Sequence, residues 1–167
     1  MLLFANGGNN ERQRVLAQQL LVQALEPLQE KLAAQGIELE CEIALGEPKL
    51  DVNASMVVSA LQNLITNAIQ AMPQGGLLCL SLHCEKDVLQ FVVGDSGPGI
   101  SRSLQARLFE PFVTSREGGT GLGLAVVQAV AHSMGGSVMC ESVEGEGSRF
   151  TLQLPRVKET TKPELNS

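Results

Sequence analysis

The glycine-rich segment at 118–124, directly before an apolar run at 125–130, is the part of this sequence best suited to binding an anion. Glycine lets the backbone approach a ligand closely, and the first turn of a helix offers unpaired N–H groups and a partial positive charge. Two other polar elements precede it, a glycine-rich turn at 95–100 and the pair Asn63 and Asn67. In this order the three elements predict a pocket for the phosphates of a nucleotide.

The two asparagines are candidate metal ligands. Asn63 and Asn67 are one helical turn apart, so a helix places both amides on the same face. Amide oxygens can coordinate a hard cation such as Mg²⁺, which typically bridges phosphate oxygens as well. The alternative is that both side chains only satisfy nearby backbone groups.

Asp95 is a candidate for recognising a base. It follows an apolar stretch and opens the turn Asp95-Ser96-Gly97-Pro98-Gly99-Ile100. Its carboxylate could accept a hydrogen bond from an exocyclic amine such as that of adenine, while Gly97 and Gly99 let the backbone pass close to the flat base. The alternative is a turn in which Asp95 merely caps the following N–H groups.

The loop between these elements contributes one candidate cation. Arg116 could reach a terminal phosphate, because a guanidinium suits that geometry; a solvated loop arginine is the alternative. Phe109 and Phe112 flank Glu110-Pro111 and are predicted to pin one end of the loop by hydrophobic packing.

Composition limits the class of protein. The 167 residues are 44% hydrophobic and 18% charged, as in one soluble globular domain. The net charge of −6 disfavours nucleic acid or an anionic membrane as the main partner, and no apolar run is long enough to span a bilayer. Four cysteines without CxxC spacing predict buried, reduced thiols of a cytoplasmic protein: Cys41, Cys79, Cys84 and Cys140.

Hydrophobic periodicity predicts an α+β two-layer sandwich, in which helices cover one face of a mixed, mostly antiparallel sheet. The domain is expected at 11–155, followed by a flexible tail at 156–167. The predicted helices lie at 11–35, with a bend or break at Pro27, at 54–72, capped by Asn53, and at 121–134. The predicted strands lie at 37–43, 77–84, 88–93, 137–142 and 148–154. A long loop at 94–119 is expected to contain a short helix near 104–108.

Two common nucleotide motifs are excluded. The dinucleotide-binding fingerprint needs a strand before its glycines within a βαβ unit, whereas here a long loop precedes them. The Walker pattern is also missing, because no GK[ST] occurs in the sequence.

Four motifs together resemble those of a known family. Asn63-Leu64-Ile65-Thr66-Asn67-Ala68, the 95–100 turn, Leu108-Phe109-Glu110-Pro111-Phe112 and Gly119-Thr120-Gly121-Leu122-Gly123-Leu124 resemble the N, G1, F and G2 boxes of sensor histidine kinases. The resemblance covers about 20–155, and the stretch at 113–119 looks most like the nitrogen-regulation and flagellar-regulation branch.

The resemblance implies a fold, cofactors and roles. The fold would be the ATP-binding sandwich shared with gyrase, Hsp90 and MutL (the Bergerat type), and the cofactors ATP and Mg²⁺. Asn67 would be the principal metal ligand with Asn63 beside it, Asp95 would bind the adenine amine, and Ser148 would line the adenine end. The remaining residues implied for nucleotide binding are Gly97, Gly99, Arg116, Gly119, Thr120, Gly121, Leu122, Gly123 and Leu124.

Departures from the family pattern refine the functional prediction. Gyrase and Hsp90 relatives carry a water-activating Glu at the position of Asn63, and Asn cannot act as a general base, which favours phosphoryl transfer to a protein over hydrolysis. Neither His83 nor His132 has the surroundings of a phosphoacceptor. The sequence therefore predicts a monomeric catalytic module that binds ATP but barely phosphorylates itself, with 1–10 as a remnant of a dimerisation helix or linker.

In the intact dimeric kinase, the expected partners are its own phosphoacceptor domain and a response regulator. Two alternatives remain open at this stage: a nucleotide-sensing regulatory module without kinase activity, and a free-standing ATPase of the same fold.

Overall fold

The computed structural model describes residues 11–43, 46–114 and 121–157. Its helices are α1 (Ala17–Leu25), α2 (Gln29–Ala34), α3 (Ala54–Ala71), α4 (Arg102–Gln105) and α5 (Gly123–Ser133). Its strands are β1 (Gln13–Leu16), β2 (Ile37–Ile43), β3 (Lys49–Val52), β4 (Gly76–Glu85), β5 (Val88–Asp95), β6 (Ser137–Val143) and β7 (Gly147–Pro155).

The main sheet has five strands in the order β2-β4-β5-β7-β6. Strands β2 and β4 are parallel, and the other three neighbouring pairs are antiparallel. The predicted mixed, mostly antiparallel sheet is therefore confirmed, together with both predicted hairpins. This register brings Asp95, at the end of β5, opposite Ser148 at the start of β7.

Helix α3 packs one side of its surface against the sheet. Its buried residues Leu61, Leu64, Ile65 and Ile69 recur at spacings of three and four, and they share one core with Phe91 and other residues of the sheet. Burying each such side chain contributes roughly 1.5–3 kcal/mol to folding. The helix is therefore held firmly, and the side away from the sheet can carry polar groups.

The start of α3 is fixed by the predicted cap. Asn53 is 95% buried, being only 5% exposed, and its Oδ1 accepts a hydrogen bond of 3.3 Å from the backbone N–H of Met56. This bond satisfies one of the N–H groups that the first helical turn leaves without an intrahelical partner. Asn53 thus fixes the residue at which α3 begins.

The N-terminal part differs from the prediction. The expected helix at 11–35 is wrong at its start, where β1 pairs antiparallel with β3, a strand that the sequence did not reveal. Each of these strands has four residues, too few for a clear alternation, and their pairing joins distant parts of the chain. The predicted break is confirmed, because Pro27 lies in a 3-10 turn (Glu26–Leu28) between α1 and α2.

Burial along β2 is lower than predicted. Only Ile37 is buried, because β2 is an edge strand, and Leu39 and Ile43 are 37% and 40% exposed. The four free cysteines are likewise not buried as expected: Cys41 is exposed and the other three are half-buried. Within the described ranges, no helix combines the length and apolar character needed to cross a membrane.

The two phenylalanines near α4 behave differently. Phe109 packs edge-on against Phe150 of the core, with ring centroids 6.4 Å apart, as predicted for a hydrophobic anchor. Phe112 contradicts that prediction, because its side chain is 76% exposed and its backbone φ is +68°. A non-glycine residue in this region is uncommon and strained.

Candidate functional site

A cavity of about 550 Å³ lies where α3, the end of β5 and the start of α5 meet. Its size is within the range of small-molecule sites. Several predicted residues line it together, although they are far apart in the sequence. These are Asn63, Asn67, Asp95, Gly99, Gly121, Gly123, Leu124 and Ser148.

The polar side of α3 forms one wall. Asn63, Thr66, Asn67 and Gln70 are spaced by three, four and seven residues, and all four line the cavity. The sequence prediction named only the two asparagines, although the same spacing rule would have identified Thr66 and Gln70. The opposite side of the helix is buried in the core, which anchors this wall to the sheet.

The first turn of α5 faces this wall. A Cβ added to Gly123 would lie 3.7 Å from the Oδ1 of Asn63, so the start of the helix and the first asparagine are close neighbours. Leu122 occupies the N-cap position, and its side chain has no atom able to accept a hydrogen bond from the first N–H groups. Such a helix start favours a negatively charged ligand.

Not every predicted residue of the glycine-rich segment can be placed. Leu122 does not line the cavity, and its side chain is 41% exposed. Arg116, Gly119 and Thr120 lie outside the described residues, so their predicted contacts with phosphates stay predictions. The same is true of most of the stretch on which the branch assignment rests.

Asp95 caps its turn, which is one of the two alternatives from the sequence, and it also lines the cavity, where base recognition stays a prediction. Its Oδ1 accepts a 2.9 Å hydrogen bond from the backbone N–H of Gly97, and the residue also lines the cavity. The turn is therefore capped by the same carboxylate that faces the ligand space. Gly97 packs against α3 rather than lining the cavity, since a Cβ there would lie 2.8 Å from the carbonyl oxygen of Ala71.

A second wall runs from Pro98 to Ile100 and closes the cavity beside the β6–β7 hairpin. Gly145 donates its N–H to the carbonyl oxygen of Pro98 at 2.7 Å, and Ile100 donates its N–H to the Ser142 hydroxyl at 2.8 Å. Apolar residues complete this side of the cavity: Ile100, Leu104, Leu108 and Val113. Sequence reasoning identified none of them as site residues.

The electrostatics of the cavity are unusual for an anion site. Among its described lining residues, Asp95 is the one charged side chain. Its negative charge also acts on Cys140 of β6. The pKa of Cys140 is raised to about 12, mainly by burial and then by the nearby charges of Asp95 and Glu141. Among the described residues, the groups available to an anionic ligand are therefore helix N–H groups and neutral amides, and a bound cation would complement them.

The residues present fit one kind of metal ion in particular. In the described part of the chain, no three His, Cys, Asp or Glu side chains are grouped to hold a metal by themselves. Mg²⁺ commonly needs only one or two protein oxygens and completes its shell with water and ligand phosphates. The amides of Asn63 and Asn67, next to a helix start, are suited to that arrangement.

Comparison with protein families gives one match over most of the domain. The model for histidine kinase-, DNA gyrase B- and HSP90-like ATPases matches residues 53–158, which include every cavity-lining residue described above.

Curated relatives include sensor kinases from several bacteria. The sensor histidine kinase ZraS of Escherichia coli O157:H7 is 38% identical over 108 residues, covering 65% of this chain and 24% of ZraS. The alginate biosynthesis sensor protein KinB of Pseudomonas aeruginosa is 33% identical over 138 residues, covering 81% of this chain and 23% of KinB. The chain thus spans about a quarter of the length of these relatives.

Solved structures confirm the fold. The nucleotide-free catalytic domain of the histidine kinase ThkA superimposes with a TM-score of 0.81 at 25% identity, covering 87% of this chain and 96% of that domain. Full-length ShkA in complex with AMPPNP gives a TM-score of 0.80 at 28% identity, covering 88% of this chain and 31% of ShkA. The predicted sandwich and the resemblance to histidine kinases are both confirmed.

Proposed function

The chain belongs to the histidine kinase-, DNA gyrase B- and HSP90-like ATPase family, and we propose that it presents the γ-phosphate of Mg-ATP to a histidine on a phosphoacceptor domain. The observation that carries this proposal is the single cavity shared by Asp95, the two asparagines and the start of α5. In this proposal the catalytic module is 11–155, and the phosphoacceptor belongs to a different domain of a dimeric kinase.

ATP has two chemically different ends, and so does the cavity. Asp95 and Ser148 lie at one end, where the adenine amine can donate to oxygen acceptors while Gly99 leaves room for the base. The phosphates then extend toward the first turn of α5, whose N–H groups and partial positive charge stabilise anions. Arg116, Gly119 and Thr120 would complete the phosphate contacts.

Asn67, supported by Asn63, would hold the magnesium ion. When bound, Mg²⁺ supplies the positive charge that the cavity lacks among its described side chains, and it neutralises the phosphate oxygens. The chain itself orients the nucleotide through Asp95, the polar side of α3 and the helix start. This is catalysis by positioning and electrostatic stabilisation.

Transfer to a protein acceptor is favoured over hydrolysis by the identity of residue 63. Asn63 has no proton-accepting group that could deprotonate water, so it favours a nucleophile that needs no deprotonation before it attacks the phosphorus, such as a neutral histidine nitrogen. In that step the imidazole nitrogen forms a bond to phosphorus as the bond from the γ-phosphorus to the bridging oxygen breaks. ADP leaves, and the imidazole proton is lost to solvent.

An exposed apolar surface beside the cavity supports docking of the phosphoacceptor domain. Phe112, Leu122 and Val126 are 76%, 41% and 43% exposed. They lie on neighbouring backbone segments, because Phe112 donates its N–H to the carbonyl oxygen of Gly121 at 2.9 Å and Val126 lies one turn after Leu122. A response regulator would then receive the phosphoryl group. The use of ATP and the free thiols of the chain support a cytoplasmic location.

Nucleotide binding is tested first by calorimetry on the 167-residue chain with ATP, in the presence and absence of Mg²⁺. We expect binding that strengthens with Mg²⁺. Asn67→Ala should abolish the magnesium-dependent part, while Gln90→Ala, which removes an amide bonded to Gln153 away from the cavity, should leave it intact. Unchanged magnesium dependence in Asn67→Ala would remove Asn67 from the metal site.

Phosphoryl transfer is tested with radiolabelled ATP and a histidine-bearing helical hairpin of a related kinase, supplied separately. We expect label on the hairpin and little on this chain. Steady release of phosphate without transfer would instead support the free-standing ATPase, and tight ATP binding with neither activity would support the regulatory module.

A further inference from the structure

A row of side chains crosses three strands at the adenine end of the proposed site. The register pairs Asp95 of β5 with Ser148 of β7, and Ser148 with Ser142 of β6. Directly opposed residues project to the same face of a sheet, so the three polar side chains lie in one line toward the cavity. Asp95 and Ser148 line the cavity, and Ser142 lies one strand behind them.

The hydroxyl of Ser142 makes three hydrogen-bond contacts. It accepts from the backbone N–H of Ile100 at 2.8 Å, donates to the carbonyl oxygen of Gly147 at 2.9 Å, and lies 2.9 Å from the Oγ of Ser148. A hydroxyl has one hydrogen and two lone pairs. If its hydrogen points to Gly147, the contact with Ser148 must use the hydrogen of Ser148.

The opposite arrangement makes one bond fewer. If Ser142 donated to Ser148, two oxygen atoms, Ser142 Oγ and the Gly147 carbonyl, would face each other at 2.9 Å with no hydrogen between them. Two partly buried acceptors that face each other without a hydrogen lose a bond and repel, so the arrangement with all three bonds is favoured. In this arrangement Ser148, which is 9% exposed, donates to Ser142 and offers only lone pairs to the cavity.

We propose that Ser142 is a positioning residue for base selection: it directs the Ser148 hydroxyl so that Ser148 and Asp95 present only hydrogen-bond acceptors to the base. This inference rests on the proposed function. Two acceptors side by side favour a base that carries an exocyclic amine, such as adenine, over one with a carbonyl oxygen at the same position.

Ser142 also holds the wall that faces the base. Its hydroxyl fixes the N–H of Ile100, while the Gln105 side chain donates to the Ile100 carbonyl oxygen at 2.8 Å and to that of Ser142 at 3.0 Å. Both backbone groups of Ile100 are therefore tied to the β6–β7 hairpin or to α4. The same residue thus sets the direction of an acceptor and the position of the adjacent wall.

The test compares the affinities of the full chain for Mg-ATP and for Mg-inosine triphosphate, in which a carbonyl oxygen replaces the amine. The wild-type chain should prefer ATP. In Ser142→Ala the Ser148 hydroxyl is free to turn and donate, so the preference should narrow by about 2- to 12-fold, the value of one neutral hydrogen bond. Ser142→Thr keeps the hydroxyl and should restore the preference.

Ser133→Ala is the matched control, because among the described residues its hydroxyl bonds only to the Val130 carbonyl within α5, at 2.8 Å, and Ser133 does not line the cavity. A purely structural role of Ser142 would weaken both nucleotides equally, and an unchanged ratio in folded Ser142→Ala overturns the proposal. Should that variant not fold, Ser148→Ala decides in its place, since losing the acceptor must also narrow the ratio. If the wild-type chain binds neither nucleotide, the proposed function itself is wrong.

Discussion

Replacing Gly99 by alanine should damage both the stability of the domain and its nucleotide pocket. Gly99 lies in the wall between Asp95 and α4, with a backbone φ of +76°. A Cβ at this position would overlap the carbonyl oxygen of Val143 and would lie 2.8 Å from the carbonyl carbon and 3.0 Å from the Cα of Glu144. All three atoms belong to the backbone of the β6–β7 hairpin, so no side chain can turn away.

The expected cost has two parts. The left-handed backbone conformation costs a non-glycine residue roughly 1–2 kcal/mol. Forcing the two backbone segments apart adds about 1–3 kcal/mol, as for overpacked cores. The sum is about 2–5 kcal/mol, and in a domain of this size each kcal/mol lowers the Tm by roughly 2–4 °C.

Gly145 provides a control for the cost of the left-handed backbone conformation alone. Its φ is +85°, but a Cβ there would have nothing within 4 Å, so Gly145→Ala should lose only about 1–2 kcal/mol. Thermal unfolding of both variants, followed by circular dichroism, measures the difference. Calorimetric titration with Mg-ATP should show weaker binding in Gly99→Ala, because the wall must move, and nearly normal binding in Gly145→Ala.

Two results would refute this reasoning. Equal Tm values for Gly99→Ala and Gly145→Ala would mean that the hairpin does not lie against the wall as described. A destabilised Gly99→Ala chain with unchanged ATP affinity would mean that this wall does not form part of the nucleotide site.

Two further predictions concern the helix cap and the thiols. Asn53→Ala removes the cap of α3 and should lower the free energy of unfolding by about 1 kcal/mol, measured by urea denaturation; Asn53→Asp keeps an acceptor and should retain most of the stability, and equal losses in both would argue against the cap. At pH 8, iodoacetamide should modify exposed Cys41 well before Cys140, whose pKa is raised to about 12, with mass spectrometry of the peptides as the measurement. The folded state keeps the Cys140 thiol protonated above the ordinary thiol pKa of 9.0, so the protonated thiol contributes fully to stability below pH 9, and this contribution declines as the pH rises toward 12. The variant Cys140→Ala should therefore lose less stability at alkaline pH than the wild-type chain.

The parts of the fold that were predictable from sequence are those with a long hydrophobic period. Helix α3 and the two hairpins follow from apolar residues spaced for burial on one face, and Asn53 follows from its position before such a run. Strands β1 and β3 were not predictable, because each has four residues and gains its stability from a distant partner. The exposure of β2 was missed for a related reason: alternation in sequence does not tell an edge strand from a central one.

The residues of the candidate site also fall into predictable and unpredictable groups. Asn63 and Asn67 could be placed on one face of a helix by spacing alone, and Thr66 and Gln70 follow from the same rule. Ser142 could not be found, because its relation to the cavity depends on the register of three strands. Such a relation exists only after the sheet has formed.

Asp95 shows why the structural and functional interpretations of a residue need not compete. The sequence left open whether its carboxylate caps a turn or recognises a base. The structure shows the cap, because Oδ1 accepts from the Gly97 N–H, and the same residue lines the cavity in which we propose that the base binds. The cap fixes the orientation of the carboxylate before any ligand arrives. A binding group that is already oriented loses less conformational freedom on binding, so the bond that stabilises the turn would also favour the proposed recognition of the base.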